Sequence, residues 1–160
     1  MKFRSINEFN TIKVQDVSIK SLTLLENQLV LLTDGAIIQS NNSNNTRYED
    51  VYSMETELVF NHVHILAVKK QGFKYFDANG CLLNEVSDQL LEGEERNAML
   101  CQATGASVFT LEKNVDSDIY VLIFDVETEN EDVITYEIDF TFKESIVSWD
   151  RFAGPVNGQL

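Results

Sequence analysis

Residues 133–143 constrain the fold more than any other stretch of the chain. Ile134, Tyr136, Ile138, Phe140 and Phe142 alternate one for one with Thr135, Glu137, Asp139, Thr141 and Lys143. A period of two puts the first set on one side of an extended backbone and the second set on the other. A helix would scatter both sets around its axis, so this segment predicts a half-buried strand of an antiparallel sheet. Ile119–Phe124 is a continuous apolar run of β-forming residues and reads as a central strand buried on both faces.

Turn chemistry extends the β reading along the chain. Leu22–Leu25 and Leu29–Leu32 flank Glu26-Asn27-Gln28, and the second run then meets Asp34-Gly35 before Ala36–Gln39. Asp-Gly between apolar runs predicts a tight hairpin. Val63–Val68 and Phe73–Phe76 flank Lys69-Lys70-Gln71-Gly72, a third hairpin. Ala78-Asn79-Gly80 then turns the chain into Cys81–Val86, with Asn-Gly suited to positive φ. One helix is expected within Asp88–Ala103, capped by Ser87, or in a shorter form from about Glu94 because Gly93 weakens its middle. The expected fold is all-β: antiparallel sheet built of successive hairpins, sandwich-like or partial-propeller-like, with one short helix near 88–103. A spacing of 43 residues relates 22–25, 65–68 and 108–111, and Asp34 and Asp77 share it, which is the ground for the propeller alternative. Residues 1–153 read as a single domain and 154–160 as a mobile tail. Gln39–Asp50, rich in Asn and Ser, reads as an ordinary polar loop.

Charge is divided unevenly along this frame. Residues 1–80 carry 8 Lys/Arg against 9 Asp/Glu, whereas residues 81–160 carry 4 against 17. Ten acids lie between Glu112 and Asp139, with Lys113 the one base among them. Such a field repels nucleic acid and anionic membrane and attracts basic protein surfaces. No segment has the run of about 20 apolar residues needed for a membrane span, and the first residues lack the apolar core of a signal peptide, so a cytoplasmic protein is expected. Cys81 and Cys101 are too few for a disulfide framework and are expected as packing thiols.

Catalytic and metal signatures are sparse. His62-Val63-His64 would put two imidazoles on one face of a strand, but no third histidine completes a zinc site. Neither a Gly-x-Ser-x-Gly elbow nor a phosphate-cradling glycine loop occurs. Asp116-Ser117-Asp118 and Asp125–Asp132 are acid-rich, yet they lack the glycine and the final glutamate of an EF-hand loop. No enzyme activity, cofactor or metal is therefore expected. The remaining candidate is an acidic binding surface made of Asp116, Asp118, Glu127, Glu129, Glu131, Asp132, Glu137 and Asp139. Tyr120 or Tyr136 would serve as its aromatic anchors.

In size, acidity, lack of an export signal and lack of a catalytic signature, the whole chain resembles bacterial immunity proteins, the antidotes of contact-dependent and other polymorphic toxins. No motif takes part in the resemblance, so it assigns no residue. It implies a monomer that binds a cognate toxin domain one to one, often a basic nuclease, with its own acids in place of substrate phosphates. The alternatives are a non-catalytic β-repeat adaptor, and a metal-dependent enzyme or sugar-binding protein using His62 and His64.

Overall fold

The computed structural model describes residues 1–157. In chain order the elements are β1 (Phe3–Ile6), β2 (Ile12–Lys13), β3 (Ile19–Leu24), β4 (Gln28–Thr33), β5 (Ala36–Ile38) and β6 (Val51–Ser53). There follow β7 (Thr56–Asn61), β8 (His64–Lys70), β9 (Phe73–Phe76), β10 (Leu82–Val86), β11 (Gln89–Leu90) and α1 (Gly93–Gln102). The chain closes with β12 (Ser107–Lys113), β13 (Tyr120–Glu127), β14 (Val133–Thr141), β15 (Glu144–Trp149) and β16 (Phe152–Pro155). Every strand pairing is antiparallel, so the fold is all-β with one short helix.

Two five-stranded sheets form the body, in the orders β1-β15-β7-β4-β3 and β11-β8-β14-β13-β12. A four-stranded sheet, β16-β6-β5-β2, lies beside them, and β9 and β10 form a separate ribbon. Alternate residues of the larger sheets point inward, as the period of two requires. Leu29, Leu31, Leu58, Phe60, Val147 and Trp149 from one sheet meet Val108, Leu122, Phe124, Ile138 and Phe140 from the other in a common core. Ile12, Ala36 and Ile38 of the third sheet join the same core.

The paired strands β7 and β15 leave the first sheet and continue as β8 and β14 in the second. At this corner Lys143 N–H donates to Asn61 O at 3.1 Å, and Asn61 Nδ2 donates to Glu144 Oε1 at 2.9 Å. His62 takes a φ of 56° to make the bend. Phe60, Phe142, Tyr120 and Phe9 pack inside the corner, with ring centroids 4.7–5.8 Å apart. On the far side, Ile19 N–H donates to Ala106 O and Gly105 N–H to Ile19 O, both at 2.8 Å, joining the edge strands β3 and β12.

Several expectations hold: the β3–β4 hairpin, the turn that joins β9 to β10, the strand with strict alternation from Ile134, and the shorter helix. Others do not. Asp34-Gly35 makes no hairpin, because β4 pairs with β7 while β5 pairs with β6 in another sheet. Gly35 sits against the Ser53 carbonyl, where a Cβ would lie 2.8 Å from that oxygen, so the glycine serves close approach as the chain changes sheet. Nor do β8 and β9 pair: the chain leaves the sheet at Gly72 and returns at β11, which pairs with β8. Ser87 does not cap the helix, and Asp88 Oδ1 instead accepts from Gly72 N–H at 2.7 Å. β13 is central but buried on one face only; Val121 and Ile123 on the other face are half-exposed.

The 43-residue spacing does not mark equivalent units. β3 and β12 are edge strands of different sheets, and β8 is interior. Gly154 and Pro155, expected in the tail, are strand residues opposite Tyr52 and Val51, and residues 158–160 lie outside the described residues. Cys81 and Cys101 are exposed rather than packed. The Asn-rich loop is clamped. Asn42 Nδ2 donates to Ser5 Oγ and Thr11 Oγ1, and buried Asn45 Nδ2 donates to the carbonyls of Ile38, Gln39 and Glu49. Glu8 accepts from Ser5 and Ser43 beside it. Burial opposes its charge, but these hydrogen bonds win and lower its pKa.

Candidate protein-binding surface

The expected acidic surface divides into three parts. Asp116 and Asp118 lie in the β12–β13 turn, which is closed by Asn114 N–H donating to Ile119 O at 2.8 Å. Glu127, Glu129, Glu131 and Asp132 lie in and beside the β13–β14 turn, closed by Thr128 N–H to Asp132 O at 2.8 Å. Successive turns of a meander fall at opposite ends of the shared strand. The eight residues of β13 therefore separate the two groups by roughly 25 Å. They do not form one patch.

Glu137 and Asp139 form the third part, on the outer face of β14 as alternation requires. They are not free charges. Lys69 of β8 reaches Glu137 Oε2 at 3.4 Å and Asp139 Oδ2 at 3.6 Å, and Gln71 Nε2 donates to Glu137 Oε1 at 3.0 Å. The two carboxylates are only 17% and 19% exposed. Burial, together with the hydrogen bond and charge of Glu137, pushes the Asp139 pKa up to about 6. Burial also works against the Glu137 charge, but hydrogen bonds from Asp139 and Gln71 and the Lys69 charge outweigh it and lower the Glu137 pKa. Lys69 is held above its ordinary value: burial opposes its charge, and the two carboxylates more than compensate. The trio is a partly compensated cluster within the sheet, one ammonium against two carboxylates.

Of the two aromatic anchors, Tyr136 is a core residue and Tyr120 packs half-buried against the core. Tyr136 is 6% exposed, and its hydroxyl donates to Gln102 Oε1 at 2.6 Å. Tyr120 packs between Phe9 and Phe142. Burial raises the pKa of both hydroxyls.

The turn over 127–132 is different. Glu127, Glu129, Glu131 and Asp132 are all exposed, and none makes an ion pair among the described residues. Glu131 holds a φ of 65°, so a carboxylate stands where glycine or asparagine would be relaxed. Next to this turn opens a cleft of about 480 Å³, lined by Lys70, Gly72, Phe73, Tyr75, Asp132 and Val133 among others. The opposite wall is the base of the β9–β10 ribbon, hereafter the arm. All nine strand residues of the arm are exposed. Six of them are large and apolar: Phe73, Tyr75, Phe76, Leu82, Leu83 and Val86. Turn chemistry finds the ribbon but not that it stands off the core. The signal that it lies outside is weak: Phe73-Lys74-Tyr75-Phe76 puts aromatics on both faces, which a doubly buried strand would also do.

The arm is nevertheless fixed at its base. Gln71 N–H donates to Thr135 O at 2.8 Å, and a Cβ on Gly72 would stand 1.8 Å from the Val86 carbonyl oxygen. At its tip Asp77 Oδ1 accepts from the N–H groups of Asn79 and Cys81, and Gly80 takes a φ of 81°. Lys74 and Glu85 pair across it at 3.7 Å.

His62 and His64 do not share a strand face, since His62 occupies the bend before β8. His64 opens instead onto a cleft of about 530 Å³ with Glu26, Asn27, Arg96 and Asn97. Among the described residues no three His, Cys, Asp or Glu side chains come together as metal ligands, and no helix is long and apolar enough to cross a membrane. No protein family, curated protein or solved structure matches the chain.

Proposed function

We propose that this protein is a cytoplasmic, non-catalytic inhibitor that captures a basic protein partner one to one, in the manner of an immunity protein holding its cognate toxin domain. The observation that carries this reading is the turn over 127–132. Four exposed carboxylates stand there and make no ion pair among the described residues, on a closed turn of a well-packed hairpin. Like charges so placed repel one another, and a basic surface relieves the repulsion on binding. The same field accelerates encounter with such a surface and turns away nucleic acid. A toxin domain that grips phosphates presents a surface of this kind. Glu137 and Asp139 already face Lys69 and are left out of the proposed contact.

The test uses the purified protein as bait at low and high salt beside a variant with Glu127, Glu129, Glu131 and Asp132 all changed to Lys. Basic proteins held by the parent, released by salt and ignored by the variant support the reading. The same proteins on both baits would remove the acidic turn from the mechanism.

A further inference from the structure

We propose that the β9–β10 arm is the anchoring element of the binding surface, seating its apolar side chains on a basic protein partner whose Lys and Arg side chains engage the neighbouring turn over 127–132. This rests on the acidic-turn reading above and adds what the partner must offer: an apolar seat rimmed by positive charge.

A two-stranded ribbon alone in water is marginal, because it has no third layer on which to bury a face. Here the ribbon keeps six large apolar side chains in solvent, each exposed by 44% to 68%. Phe73, Tyr75 and Val86 lie on one face of the ribbon and Phe76 and Leu82 on the other, so the roughly 600 Å² of apolar surface they offer together, judged from the 150–250 Å² that an aromatic side chain can bury, is covered by a partner that wraps the ribbon. A standard interface takes about 800 Å² from each partner, so the arm with Val133 and the adjoining cleft is close to sufficient. The cleft makes arm and acidic turn one continuous surface, with Phe73 and Tyr75 on one side and Asp132 and Val133 on the other. Apolar centre and charged rim is the usual anatomy of a specific interface. Gly72, Asp88 and the Asn79-Gly80 turn hold the ribbon in place before any partner arrives, which lowers the ordering cost of binding.

Charge decides which occupant fits. A second copy would bring another chain of net charge −14 against the same acids. Asp77 and Asp88 on and beside the arm add to that repulsion, while Lys74 and Glu85 pair with each other and Lys70 is the one base among the described residues lining the cleft. A basic partner meets the opposite situation.

Three synthetic peptides of equal length serve as probes: alternating Lys and Leu, alternating Lys and Ser, and alternating Glu and Leu. Binding is read by fluorescence anisotropy against the parent, an arm variant (Phe73→Ser, Phe76→Ser, Leu83→Ser) and the four-residue turn reversal. The substituted arm side chains are exposed, and near-ultraviolet circular dichroism of the buried Trp149 checks that the body stays folded. The Lys–Leu peptide should bind the parent and lose at least about tenfold in affinity with the arm variant. The Lys–Ser peptide should bind more weakly and ignore the arm substitutions, and the Glu–Leu peptide should not bind. An unchanged Lys–Leu affinity in the arm variant, no Lys–Leu binding to the parent, or equal binding of the Glu–Leu peptide would each overturn the role of the arm. So would arm-dependent dimers in sedimentation. Lys–Leu and Lys–Ser binding that both survive the turn reversal would instead overturn the charge reading, and with it the basic character of the partner.

Discussion

Asp139→Asn is expected to remove a pH dependence from the stability of this protein. Asp139 lies on the outer face of β14, opposite Ala67 of β8 and Val121 of β13. The charges that face it are Lys69 and its own neighbour Glu137. Its Oδ1 is buried and accepts no hydrogen bond. Folding carries this carboxyl from an ordinary value of 3.8 to about 6. The folded state thus binds the proton more tightly than the unfolded state. The associated stability is fully present below about 3.8 and is lost as the pH rises through 6. For an isolated group the swing would be about 3 kcal/mol. Glu137 is shifted in the opposite direction and both side chains retain some water, so about 1 kcal/mol is the expected net effect. Asparagine has nothing to titrate and keeps a hydrogen-bond donor for Glu137. The variant should match the parent near pH 3.5 and exceed it by about 1 kcal/mol near pH 7.5. Urea unfolding followed by Trp149 fluorescence at both pH values measures this, since Trp149 is fully buried. A variant that differs from the parent by the same amount at both values would refute the argument, because the proton would then reside elsewhere.

Gly72→Ala should release the arm and leave the body intact. A methyl group 1.8 Å from a backbone oxygen forces the β9–β10 base open, and loss of amide protection confined to β9, β10 and β11 is the expected hydrogen-exchange pattern; the parent's pattern in the variant would contradict it. Asn45→Ala should cost about 2 kcal/mol in chemical denaturation, since it strips three carbonyls of a shared donor inside the 39–50 loop. A change within about 0.5 kcal/mol would mean that water replaces the side chain.

How far the sequence reaches depends on the range of the interaction being read. β14 is legible because its alternation is strict and its partner β13 precedes it across a short turn. The same alternation already puts Tyr136 on the buried side, so its place in the core follows from the rule that found the strand. Asp34-Gly35 misleads because a glycine can serve positive φ or close approach, and composition does not say which. Lys69–Gly72 misleads because a departure from a sheet and a hairpin turn use the same residues. The pairing of β7 with β15 joins segments more than 80 residues apart and leaves no local trace. The separation of Asp116 from Glu129 has the same origin: near neighbours in sequence lie at opposite ends of one strand. Lys69 between Glu137 and Asp139 is a cross-strand contact that no reading of β14 alone reveals.

The strand order also has a consequence for biosynthesis. β15 lies between β1 and β7, and β14 lies between β8 and β13. A nascent chain that has emitted β1 to β13 therefore has a gap in each large sheet, with β7 and β8 showing open edges. The arm, by contrast, pairs within itself, and both of its strands are present once Val86 emerges. During translation the apolar ribbon is thus exposed before the body beneath it exists. At about 5–20 residues per second, that interval lasts several seconds on the ribosome. The steep negative charge of the C-terminal half arrives with the strands that close the sheets, so the nascent chain becomes strongly self-repelling in the same stretch of synthesis that completes its fold.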